Sequence, residues 1–199
     1  MIRRIMFNKK IIIFCGPSGV GKGTIETRLF DDIALKLKLS VSATTRSPRK
    51  GEIEGVHYYF ISKEQFKKHI ENNDLIEWSQ HFDNYYGTLY SNLQKISNEG
   101  FIPFLEIETN GAIQILNKYK TQQIEDKIIS IFVMPPSFKE LERRITERGS
   151  ETPETIKKRM EKAFDEVKYA NLFKHTVVND TVEGTYLEIK NIIEKEFNL

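Results

Sequence analysis

The chain has 199 residues, enough for one domain with insertions and a substantial core. Charged residues make up 29% of it, yet the net charge is only +2, which argues against a general polyanion binder and leaves any anion site to a local set of Arg and Lys. The one cysteine, Cys15, cannot form an internal disulfide, which suits a reducing compartment. The basic start, Met1 to Lys10, precedes only five apolar residues, too short a run for a secretory core or a membrane span. A soluble, cytoplasmic chain with no nucleic-acid or membrane partner is expected.

In chain order, Ile11–Cys15 reads as a buried strand. Gly16-Pro17-Ser18-Gly19-Val20-Gly21-Lys22-Gly23-Thr24 follows it and leads into a helix over about Lys22 to Leu37. Strand, Gly-rich turn and helix are the context of a phosphate-binding loop. Its glycines let successive N–H groups point at an anion, and the helix start adds unpaired N–H groups and a positive dipole end. Lys22 can reach the outer phosphates of a nucleotide. The usual hydroxyl after the lysine is displaced by Gly23 and arrives at Thr24, so a bound Mg²⁺ is expected to be held mainly by phosphates and waters, with Thr24 contributing.

A short strand over Leu39 to Ala43 precedes a polar loop, Thr44 to Glu52, broken by Pro48 and Gly51. His57–Ile61 reads as a strand, Ser62 caps a helix to Asn72, and Leu75–Phe82 reads as another strand. Asn84–Thr88 reads as a turn. Then come a helix over Tyr90–Asn98, a strand over Phe101–Ile107, a helix over Asn110–Tyr119 and a central strand over Ile128–Met134. Ser137 caps a helix to about Glu147. Ser150 and Thr152, with Pro153 in a first turn, open a long helix to about Leu172. A strand over His175–Val178 and a helix over Val182–Phe197 close the chain. Strands alternating with helices predict an α/β fold, a parallel sheet flanked by helices.

Four constellations carry chemistry. Ser42, Arg46 and Arg49, with Tyr58 and Tyr86, can bind a phosphate, because guanidinium groups grip such oxygens two at a time. Two arginines beside a proline, taken alone, are usually a solvated turn. Glu77, with Ser42 and Thr88, can read guanine: one carboxylate accepts from its ring N–H and exocyclic amine together, a pair adenine lacks. An exposed glutamate beside a strand aromatic is the plainer alternative. Glu106 and Glu108, alternating with Ile107, stand at the end of an apolar strand, where Mg²⁺ or its waters are held in phosphate-binding folds, or on the polar face of an edge strand. Arg144, Arg148 and Arg159 can stabilise a phosphoryl group in flight, or form a charged helix surface with Glu142, Glu147 and Glu151.

In this order, the four strings resemble the guanylate kinase family over nearly the whole chain, from Ile12 to about Asp180. The most specific part is Ser40-Val41-Ser42-Ala43-Thr44-Thr45-Arg46-Ser47-Pro48-Arg49-Lys50-Gly51-Glu52, joined by Asn84-Tyr85-Tyr86-Gly87-Thr88 and Arg148-Gly149-Ser150-Glu151-Thr152. The resemblance implies a P-loop core (1–45 and 93–199), a GMP-binding insertion (about 46–92) and a helical lid (about 137–159). It implies ATP, GMP and Mg²⁺ as the small-molecule partners and ADP and GDP as products. Lys22, Arg144, Arg148 and Arg159 then act on the moving phosphoryl group. ATP lies along Gly16–Thr24, with Asn179 at the adenine. The GMP phosphate meets Arg46, Arg49, Tyr58 and Tyr86, and the guanine meets Ser42, Glu77, Thr88 and Glu108. The family usually has Asp at the position of Glu108 and Gln at that of Asn110. Two rivals are a non-catalytic module of this fold that binds peptides, and a kinase of this fold with another phosphorylated acceptor.

Overall fold

The structure, a computed structural model, describes residues 7–147 and 152–199. In chain order its elements are β1 (Ile11–Cys15), α1 (Lys22–Asp31), β2 (Leu37–Leu39), β3 (Ala43–Thr44), β4 (Tyr59–Phe60), α2 (Lys63–Glu71), β5 (Leu75–His81), β6 (Asn84–Leu89), α3 (Tyr90–Asn98), β7 (Ile102–Glu106), α4 (Thr109–Thr121), β8 (Ile128–Met134), α5 (Phe138–Glu147), α6 (Pro153–Val167), β9 (His175–Val178) and α7 (Val182–Phe197). The fold is of the α/β class. Two compact units form. One joins Ile12–Leu37 to Ile129–Leu199; the other is Lys38–Ile128 with the described residues up to Ile11.

In the first unit, β1 lies beside β8, and β8 pairs in parallel with β9, Ile131 opposite His175 through Met134 opposite Val178. All five residues of β1 are buried, as are Ile128–Val133, which is why both strands read as apolar runs, broken only at Ser130, whose Oγ accepts the Lys174 N–H at 2.9 Å. Helix α1 buries Ile25 and Leu29 and packs on α7, which buries Ile189 and Ile193. In the second unit, β2 lies beside β7, and a separate small sheet runs β4-β3-β6-β5. Ala43, Phe66 and Leu75 form its core, with Phe66 stacked on Tyr85 at 5.3 Å. Helix α2 has a full capping box between Ser62 and Gln65, which fixes its start. Among the described residues, no helix is long and apolar enough to cross a membrane.

Several boundaries differ from the sequence reading. The first helix stops at Asp31, not Leu37, because Asp32 turns away (ψ 90°) and is claimed by tertiary partners. Its carboxylate accepts from Lys190 Nζ at 2.6 Å and the Tyr186 hydroxyl at 2.8 Å. The expected strand over Leu39–Ala43 is two strands, interrupted where the Asn92 amide donates to Ser40 Oγ and Val41 O, both at 3.1 Å. The strand over His57–Ile61 shrinks to Tyr59–Phe60, since His57 turns back to take the Ile53 N–H on Nδ1 at 3.0 Å. Asn84–Thr88 is not a turn but most of β6; the turn is Phe82-Asp83, with Phe82 at φ 53°. The long helix ends at Val167 and is followed by a 3-10 turn over Ala170–Leu172.

Candidate active site

Two cavities gather most of the residues singled out from the sequence, one in each unit. The first, about 510 Å³, is lined by Gly19, Gly21, Thr24, Arg144, Asn179 and Asp180, among others. The loop between β1 and α1 turns through a Val20 N–H to Pro17 O bond of 3.2 Å. Lys22 spans it, donating from Nζ to Gly16 O at 2.8 Å and Pro17 O at 3.4 Å, so its charge is held at the mouth of the loop. Gly21, at φ 103°, is the residue before α1, and a Cβ there would fall 2.6 Å from Asn179 Nδ2. That close approach lets the buried Asn179 donate to Val20 O at 2.7 Å while accepting from Thr185 Oγ1 at 3.1 Å. Asn179 therefore ties the end of β9 to the loop.

The arginines divide. Arg144 donates to Asn179 O at 3.1 Å, Val20 O at 3.3 Å and Glu140 Oε1 at 2.8 Å, so it forms a wall of this cavity. Arg159 reaches back to Ser18 Oγ at 3.2 Å. Arg143 lines the cavity too, but is paired with Glu140 and Glu147 along its own helix. Arg148 lies outside the described residues. Sequence reasoning passed over Glu140 and Asp180, which also line the cavity.

The second cavity, about 460 Å³, holds the other set. Ser42, Arg46, Arg49, Tyr58, Glu77, Tyr86 and Glu108 line it, seven of the eight expected there. The eighth, Thr88, is fully buried behind Glu77. Strands β5 and β6 pair antiparallel, with an irregularity between Leu75 and Glu77 that sets Glu77 opposite Thr88. Such a bulge re-aims a side chain. Thr88 Oγ1 donates to Glu77 Oε1 at 2.7 Å and, its proton so used, accepts from Ser42 Oγ at 3.3 Å. Three of the four expected base readers thus form one relay. Glu77 is only 6% exposed, and burial pushes its carboxyl up to about 7 against the pull of Thr88.

The same cavity has cationic and aromatic lining as well. The Arg46 guanidinium lies 5.5 Å from the Tyr58 ring centroid, and Tyr58 meets Tyr86 edge-on at 6.1 Å. Burial raises the Tyr58 phenol above its ordinary range, so it stays a donor. Strand β7 ends at Glu106, and Glu108 immediately precedes α4 without capping it through its side chain; both line the same cavity. Glu108 Oε2 lies 3.2 Å from His81 Nε2.

Gly111 and His81 were missed as site residues. A Cβ on Gly111 would stand 2.6 Å from Glu77 Oε2, so only glycine lets the first turn of α4 approach the carboxylate. A glycine inside a predicted helix asks for such a packing reason, and that signal was available. Gln114, one turn on, clamps Trp78 by accepting from its N–H at 3.2 Å and donating to its C=O at 2.9 Å, fixing α4 against β5.

A loop that ends in Gly-Lys before a helix occurs in many nucleotide-binding chains; a buried carboxylate facing an arginine–tyrosine wall is narrower. Comparison with known proteins agrees with the narrower reading. The guanylate kinase family model matches residues 8–196. The guanylate kinase of Mycoplasmopsis pulmonis is 54% identical over 188 residues, covering 94% of this chain and 95% of its own. That of Mycoplasmopsis synoviae is 52% identical, covering 96% and 97%. The crystal structure of guanylate kinase from Anaplasma phagocytophilum superposes with a TM-score of 0.70 at 32% identity, over 94% of this chain and 86% of that one. With the family model spanning the loop, the carboxylate relay and the arginine–tyrosine wall together, the chain belongs to the guanylate kinase family.

Proposed function

We infer that the chain transfers the terminal phosphoryl group of ATP to GMP, giving ADP and GDP, and so serves guanine nucleotide synthesis and recycling in the cytoplasm. The observation that carries this is the second cavity: a buried acceptor for guanine, Glu77, shares one space of about 460 Å³ with Arg46, Arg49, Tyr58 and Tyr86. GMP spans those two ends, base to carboxylate and phosphate to arginines. Adenine would leave Glu77 facing no donor pair, which is the basis of the selectivity.

ATP lies along Gly16–Thr24, its phosphates on the loop amides and on Lys22, its adenine beside Asn179. Arg144, Arg148 and Arg159 close on the moving group and offset the charge that spreads over its oxygens. The acceptor is a phosphate monoester whose second pKa lies near 6, so it attacks as its own dianion and no general base is assigned. The insertion (about 46–92) and the lid (about 137–159) close over both nucleotides and keep water from ATP. Thr24 and Glu106 offer hard oxygens that suit Mg²⁺, an ion that keeps several waters and takes its other ligands from substrate phosphates. When bound it would supply charge neutralisation.

The test is ADP release from ATP and Mg²⁺ with GMP, AMP, UMP or CMP as sole acceptor, and with Lys22→Ala as control. Turnover with GMP alone, lost in the control, is expected. Turnover without guanine preference would point to another acceptor. None at all, from folded protein, would leave a binding module.

A further inference from the structure

Glu52 does not line the second cavity, yet it is bonded to both of the arginines that do. Its carboxylate accepts from Arg46 Nη1 at 2.9 Å and Nη2 at 2.8 Å, a two-point fork, and Oε2 also accepts the Arg49 backbone N–H at 2.7 Å. The Glu52 N–H returns a bond to Arg49 O at 3.0 Å, so one residue closes the loop from Arg46 to Glu52. The pair is largely shielded, with side-chain exposures of 15% and 17%. Arg46 also donates from Nη1 to Ser47 O at 2.8 Å and lies over the Tyr58 ring. A long, flexible side chain is thereby fixed before any ligand arrives. Three of its five N–H groups are used in doing so, which leaves the outer edge of the guanidinium for the Tyr86 hydroxyl and an incoming anion.

Two consequences of a carboxylate here oppose each other. It repels a phosphate, and it removes the ordering that a loose arginine would undergo on binding. The geometry favours the second. Arg46 and the Arg49 amide hold the Glu52 carboxyl down near 2, so it stays ionised and forked at neutral pH. Leaving Arg46 for a ligand would also unpair the Arg49 amide. Building on the GMP reading above, we propose that Glu52 is a positioning residue that holds Arg46 as a preformed half of the GMP phosphate seat and stays in place when GMP binds.

The test is calorimetric binding of GMP and of guanosine, which lacks the phosphate, to the full chain, Glu52→Gln, Arg46→Lys and the double variant. Glu52→Gln is expected to weaken GMP about tenfold or more while guanosine binds within twofold of the unaltered chain. In the Arg46→Lys background, where no fork can form, Glu52→Gln should change GMP binding less than threefold. If Glu52→Gln does not fold, Glu52→Asp, which keeps the charge but shortens the reach, takes its place in the same comparison. GMP binding that is unchanged or tighter in the variant overturns the proposal, the latter showing Glu52 to be a competitor. Parallel weakening of guanosine also overturns it, because the loop would then have a general structural role. An unaltered chain that binds no GMP would defeat the GMP reading itself and this inference with it.

Discussion

Glu77→Gln should move stability and activity in opposite directions. The glutamate is 6% exposed and titrates near 7 in the folded chain against 4.5 for an exposed glutamate. That gap of about 2.5 units is worth about 3 kcal/mol. Because the folded value is the higher one, the associated stability is fully present below about 4.5 and is lost as pH rises through about 7. Gln does not titrate. Its Tm relative to the unaltered chain should therefore be nearly level at pH 5 and higher by several degrees at pH 8, at roughly 2–4 °C per kcal/mol. The full 3 kcal/mol is a ceiling, since the amide N–H groups need partners of their own in a buried place. Catalysis should fall meanwhile, because Gln presents one acceptor where guanine offers two donors. The expected loss in kcat/KM for GMP is roughly 2–4 kcal/mol, about 30- to 1000-fold. Scanning calorimetry at pH 5, 6.5 and 8 and an ADP-release assay read the two effects. A Tm difference flat across pH would show that Glu77 is not a costly buried charge. An unchanged GMP efficiency would show that another group reads the base.

Guanosine binding at pH 6.5 should release a fraction of a proton, because two base donors favour the charged carboxylate. Equal binding heats in buffers of different ionisation enthalpy would contradict this. Gly111→Ala places a methyl 2.6 Å from Glu77 Oε2 and should raise KM for GMP at least tenfold with little change in KM for ATP; equal effects on both would remove its specific role. Asn179→Ala should lower stability by about 1–3 kcal/mol and raise KM for ATP, since Val20 O and Thr185 Oγ1 each lose a buried hydrogen bond and keep only longer ones, to Arg144 and Val178 O at 3.3 Å. Thermal unfolding and ATP titrations check both halves of that statement.

Much of the site was legible because its chemistry demands particular residue types in a tight string. Lys22 follows a glycine loop, and Arg46 and Arg49 sit three apart on one polar turn. The relay from Ser42 through Thr88 to Glu77 was legible only as a set, since its geometry depends on a bulge in β5 that no spacing reveals. Asn84–Thr88 looked like a turn because Asn and Gly are turn formers; pairing with β5 overrides that preference. The first helix looked longer than it is because Ile33, Leu35 and Leu37 keep its spacing. What ends it is Asp32 bonding to residues more than 150 positions away, which no local pattern records. Gly111 and Glu52 were overlooked because each acts through a neighbour, by giving way to a carboxylate or by holding an arginine.

The unit that carries the phosphate loop is built from two segments, Ile12–Leu37 and Ile129–Leu199, with Lys38–Ile128, the larger part of the other unit, between them in the chain. Bringing β1 beside β8 requires closing roughly 110 residues of chain, about 2.5 kcal/mol more in entropy than a six-residue connection. The intervening unit bears no such cost, and its β5–β6 hairpin turns on two residues. During synthesis the glycine loop emerges early, but β8 follows only after about 110 further residues and Asn179 later still. The second cavity is thus expected to assemble before the loop. In pulse-labelled hydrogen exchange during refolding, the amides from Trp78 to Leu89 should gain protection before those from Ile12 to Cys15; the reverse order would mean that the long closure is not what limits the phosphate loop.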